Sequence, residues 1–101
     1  MNKKNNPKVK APDFDQYLAL KMKKPSFKKH YQDYAKQIEI AYKIFELRKD
    51  QGLSQKELAK RINTQQSNVA RIESGQENLT TSLLNKIALA FNRKLIVDFS
   101  N

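Results

Sequence analysis

Cysteine is absent from the 101 residues, which excludes disulfides, thiolate metal sites and cysteine nucleophiles. One histidine, His30, stands in the basic run KKPSFKKH with no second ligand candidate nearby, so it reads as a solvated polar residue. No apolar run approaches the length of a membrane span or a signal-peptide core, so a soluble, cytoplasmic protein is expected. Acidic residues are few: ten against twenty Lys and Arg, for a formal charge of +10. That excess fits a polyanionic partner, nucleic acid above all, or a solubilising tail. It is unevenly spread, with nine lysines and two aspartates in residues 1–30 giving +7, and only +3 in residues 31–101.

The chain divides into three parts. Residues 1–12, MNKKNNPKVKAP, have no apolar periodicity and read as a disordered basic arm. Residues 13–37 form a helical extension. Asp13 caps a short helix there, with Phe14, Tyr17 and Leu18 on one face, punctuated by Pro25 and Ser26. A long helix follows from near Phe27 to Asp50, stopped by Gly52. Tyr31, Tyr34, Ala35, Ile38, Ala41, Tyr42 and Phe45 mark one of its faces, and Ile40, Ile44 and Leu47 a second. A helix apolar on two faces needs two covers. The later helices supply one; the other falls to the N-terminal segment, a second copy of the chain or another protein.

Residues 38–101 form the third part, and after Gly52 its elements are short. Ser54 and Glu57 form a capping box opening a helix to about Ile62. Asn63 tolerates the left-handed geometry that ends it, and Thr64 is expected to cap the next helix, Gln65 to Ser74, which Gly75 closes. Thr80 or Thr81 caps a further helix with Leu83, Leu84, Ile87, Ala88 and Phe91 as its stripe, closed by Asn92. The terminal KLIVDF reads as a strand, with Leu95, Val97 and Phe99 alternating with Ile96 and Asp98.

Two short helices joined at Asn63 have the proportions of a helix-turn-helix. Leu58, Ala59 and Ile62 face inward on the first, Val69 and Ile72 on the second. The outward first turn of the second presents Gln65, Gln66, Ser67 and Asn68, with Arg71 one turn on. Glutamine and asparagine can bond adenine edges in two places and arginine guanine, whereas a merely solvated face more often carries Lys and Glu. Gln55 and Thr64, near helix N-termini, are placed for phosphates.

The stretch GLSQKELAKRINTQQSNVARIESGQENLTTSLLNKIALAF resembles the Xre helix-turn-helix family, which includes Cro and CI-type phage repressors. Gln55, Gln66, Ala59, Val69, Ile72 and the Ile72–Gly75 ending carry the resemblance. It spans about Ile38 to Phe99 and departs at the turn, where many members have Gly and this chain has Asn63. The fold this implies is all-α: a five-helix lambda-repressor-like bundle with an N-terminal helical extension and one short C-terminal β-strand. The recognition helix is expected in the major groove of a palindromic double-stranded operator, read by a homodimer.

The extension and the terminal strand together resemble the HigA-type antitoxins of type II toxin–antitoxin systems. That implies a small RelE/HigB-like ribonuclease toxin as partner and autoregulation of the operon; a stand-alone Xre-family regulator is the alternative. Phe14, Tyr17, Leu18, Phe27, Tyr31 and Tyr34 are the expected toxin contacts. Leu95 to Phe99 need a partner strand, expected from the dimer mate. A metal-dependent nuclease built on Asp33, Glu39, Glu46 and Asp50 is rejected, because lysines interleave with these carboxylates and no second acidic cluster or nucleophile–base pair completes a site. No cofactor is expected. A bundle that binds only protein is disfavoured by Arg71 and the amide-rich face.

Overall fold

Local capping sets the element boundaries in the computed structural model, which describes residues 13–76 and 78–101. The basic arm over residues 1–12 and the His30 side chain lie outside that description. Helix α1, Phe14–Lys21, opens on a reciprocal box in which Asp13 accepts from the Gln16 amide at 2.8 Å and Gln16 accepts from the Asp13 amide. Helix α2, Pro25–Asp50, places proline at its first position, where the missing amide hydrogen costs no helical bond. It starts two residues before the expected Phe27. It is also interrupted at Tyr34, whose φ of −132° and ψ of 40° are not helical, although neither proline nor glycine stands at the break. Gly52, at φ +69°, turns the chain out of α2.

Helix α3, Gln55–Arg61, carries the Ser54–Glu57 capping box, and Asn63 at φ +57° makes the turn. Helix α4 runs Gln66–Glu73. Its cap is Gln65, with no side-chain hydrogen bond, rather than the expected Thr64. The Thr64 hydroxyl instead accepts from the Asn68 side-chain amide at 2.8 Å, which displaces the capping role. Helix α5, Thr81–Ala90, is capped by Thr80, and Asn92 at φ +57° closes it.

Residues 93–101 carry no regular secondary structure, so the strand expected over Leu95, Ile96, Val97, Asp98 and Phe99 is absent from the described chain. The reason is physical. A strand needs a second strand for its amides and carbonyls, and among the described residues none is offered. Ile96, Val97 and Phe99 accordingly stand 78%, 64% and 95% exposed.

Two apolar clusters share α2. Ile44 joins Leu58, Ala59, Ile62, Val69, Ile72, Ile87 and Phe91, with Ile40 and Leu47 beside them. On the other face Ile38 and Tyr42 pack with Tyr17, flanked by Phe14, Leu18, Phe27, Tyr31 and Phe45. The second cover of the double-faced helix is therefore α1. Its rings meet those of α2 closely: Phe14 and Tyr17 each lie 5.2 Å from Tyr42 between centroids, with interplanar angles of 59° and 63°. Tilted and edge-on geometry of this kind adds about 0.5–1.5 kcal/mol per pair beyond area burial.

Tyr17 is consequently ill suited to the toxin contact expected of it, since only 6% of it is exposed and its ring is spent on the internal cluster. Phe14, Leu18, Phe27 and Tyr31 are half-buried in the same cluster, and Tyr34 is exposed.

Candidate nucleic-acid interface

The helix-turn-helix is built by two inward stripes. Leu58, Ala59, Ile62, Val69 and Ile72 are all at most 4% exposed. Burying side chains of this size is worth about 1.5–3 kcal/mol each for the larger ones, which fixes the rotation of α4 about its axis. With Val69 and Ile72 turned in, Gln65, Gln66, Ser67, Asn68 and Arg71 are left exposed around the first two turns. Thr64 and Gln55 are half-buried at their margins.

Some of these polar groups are pre-oriented. Asn68 uses one amide hydrogen on Thr64, leaving its carbonyl oxygen and second hydrogen for a base edge. Gln55 donates from Nε2 to Glu73 Oε1 at 3.2 Å and retains one hydrogen. Open clefts flank α4 on both sides. One, of about 410 Å³, brings Gln55 and Gln66 together with Lys49 and Ser54. The other, of about the same volume, brings Thr64, Asn68 and Arg71 together with Lys86 of α5. Lys86 escaped the sequence reading, which used α5 only for its apolar stripe.

A larger omission is the anchor at the far end of α4. Glu73 is 6% exposed and Arg48 8%. Their side chains form a two-point pair, Arg48 Nε to Glu73 Oε2 at 2.6 Å and Nη2 to Oε1 at 2.9 Å, while Nη1 donates to the Leu53 carbonyl at 2.8 Å. The Tyr17 hydroxyl donates to the Glu73 carbonyl at 2.9 Å, and Gln37 Nε2 to the Gly75 carbonyl at 3.1 Å. Burial, followed by the Glu73 charge, pushes the Tyr17 hydroxyl up to about 12. A signal for this site was available: Glu73 lies four residues after Val69, on the inward stripe, where a carboxylate demands a buried partner.

Gly75 completes the anchor. Its φ is +81°, and a Cβ there would come within 2.9 Å of Ile38 Cγ1. Two of the four carboxylates on α2 have partners of their own. Glu39 pairs with Lys36 at 2.9 Å, and Glu46 accepts from Tyr42 at 3.4 Å.

A helix of eight residues, locked by a turn to α3, anchored at its C-terminal end and open along an amide-rich face, defines a helix-turn-helix DNA-binding protein. A family profile described as helix-turn-helix matches residues 44–97, and the chain belongs to that Xre/Cro/CI-like family of DNA-binding transcriptional regulators. No curated protein and no solved structure matches it. No described helix is long and apolar enough to cross a membrane.

Proposed function

We propose that the chain is a dimeric, sequence-specific repressor and the antitoxin of a type II toxin–antitoxin pair. The observation that carries DNA reading is the exposed side of α4, where Gln65, Gln66, Ser67, Asn68 and Arg71 stand together on a helix whose inner stripe is sealed. Gln66 and Asn68 are matched to adenine edges and Arg71 to guanine, with Gln55 and Thr64 at flanking phosphates. Residues 38–101 constitute the DNA-binding unit and residues 13–37 its extension.

Homodimer formation is supported by the terminal segment. Ile96, Val97 and Phe99 are exposed, and pairing Leu95 to Phe99 with a two-fold mate would satisfy their backbone and cover their side chains. The antitoxin role is supported by α1 and the first half of α2, a second aromatic layer outside the matched helix-turn-helix stretch. The half-buried Phe14, Leu18, Phe27 and Tyr31 of that layer, together with the exposed Tyr34, meet a small RelE/HigB-like ribonuclease in a cytoplasmic, nucleoid-associated complex.

Two experiments test the two parts. Selection of bound duplexes from a random pool should return a palindrome with half-sites about one helical turn, roughly 34–36 Å, apart. An asymmetric single site would overturn the dimer. A tagged pull-down from the native host should bring down a small protein that arrests growth when expressed alone; recovery of homodimer and DNA only would make the stand-alone regulator the better reading.

A further inference from the structure

The segment Lys21–Lys29 holds five lysines and no acidic residue in KMKKPSFKK. It forms the elbow between α1 and α2, and all five lysines are exposed. The fold places this elbow beside the reading helix. Lys21, Lys24 and Ser26 line one open groove of about 670 Å³ with Ser74 and Gln76, the residues that follow the last turn of α4. Lys21 is steered there, its ammonium 5.6 Å from the Tyr17 ring centroid, and Tyr17 is itself bonded to the Glu73 carbonyl at the end of α4. Lys28 sits one turn beyond Lys24, its amide bonded to the Lys24 carbonyl. Among the described residues none of these lysines forms an ion pair.

We propose that Lys21, Lys24 and Lys28 form a second phosphate-binding surface, which grips the DNA backbone at the rim of the major groove that α4 enters. The inference rests on the DNA-binding reading above. Eight residues at 1.5 Å each make α4 about 12 Å long, comparable to the roughly 12 Å width of the major groove. A helix of that length entering by its N-terminal turn leaves its other end near the bordering phosphates. That end is where Lys21 and Lys24 line the groove, with Lys28 one turn further along α2. The competing explanation is that they merely complement the negative end of the α4 dipole, which would affect stability and not DNA.

The two roles separate in one experiment on the full chain. Binding of wild type and of Lys21→Gln/Lys24→Gln/Lys28→Gln to a 40-base-pair random-sequence duplex is followed as a function of salt, with thermal melts of both proteins alongside. Each phosphate contact contributes about 0.9 to the slope of log K against log salt. The variant should therefore lose about 2–3 units of slope, while Lys36→Gln/Lys43→Gln, further along α2 and away from the elbow, should lose less than one. An unchanged slope in the triple variant overturns the proposal, with or without a lowered melting temperature. Failure of wild type to bind the duplex at any salt would instead sink the DNA-binding reading itself.

Discussion

Replacing Glu73 by Ala removes three acceptor contacts at once: both bonds from the Arg48 guanidinium and the one from Gln55. Arg48, 8% exposed, would keep the Leu53 carbonyl and the face of the Phe45 ring, 5.7 Å from its guanidinium, but no counter-charge. Leaving a buried charge without its counterpart costs about 3–5 kcal/mol. A domain of this size is stable by about 0.05–0.15 kcal/mol per residue, so the substitution would consume from about a fifth of the total to, in the worst case, all of it. Arg48→Ala should cost about as much, by stranding the carboxylate. The double variant Arg48→Met/Glu73→Leu removes both charges and refills the space with apolar atoms, so it should recover most of the loss. The bond from Tyr17 to the residue-73 carbonyl survives all of these changes, because it uses the backbone.

Urea unfolding followed by far-ultraviolet circular dichroism gives the stabilities of wild type, the two alanine variants and Arg48→Ala/Glu73→Ala, which close a double-mutant cycle whose coupling energy should exceed about 2 kcal/mol. Single variants that each lose under about 1 kcal/mol, or a double variant whose loss equals the sum of the singles, would show that the pair is solvated and that α4 is anchored otherwise.

Two further outcomes follow from the same anchor. Tyr17→Phe should lose about 1 kcal/mol at neutral pH, the net worth of the bond to the Glu73 carbonyl. Because folding raises this hydroxyl from 10 to about 12, its contribution is complete below pH 10 and is lost as pH climbs through about 12; the stability gap between wild type and variant should narrow over that window, and a constant gap would refute the assignment. Gly75→Ala should cost about 1–3 kcal/mol, since a side chain at φ +81° is strained and the new Cβ meets Ile38; an unchanged melting temperature would mean that the close approach does not exist.

The helices were legible because each carries its own punctuation. Asp13, Ser54 and Thr80 cap, Gly52, Asn63 and Asn92 turn, and the apolar spacing between them has one period. The two-faced character of α2 was equally plain, but which object covers its second face was not. That depends on α1 folding back across residues 38–45, a long-range pairing no local pattern encodes. Thr64 misled because a hydroxyl next to a helix start has two uses, and Asn68 four residues on claimed it. The terminal strand misled for a different reason: alternation reports the propensity to pair, while a ladder requires a partner. Glu73 is harder to see, because IESG marks a helix end locally while the burial of its carboxylate depends on Arg48, 25 residues away.

The most direct test is base-by-base. Wild type, Gln66→Ala and Arg71→Ala are titrated at fixed salt onto the duplex recovered by selection and onto each of its single-base variants. Each substitution should weaken the selected site by about 1–3 kcal/mol and flatten discrimination at one base position while leaving binding to random DNA almost unchanged. Full affinity and an intact base profile in both variants would mean that the exposed side of α4 does not read DNA.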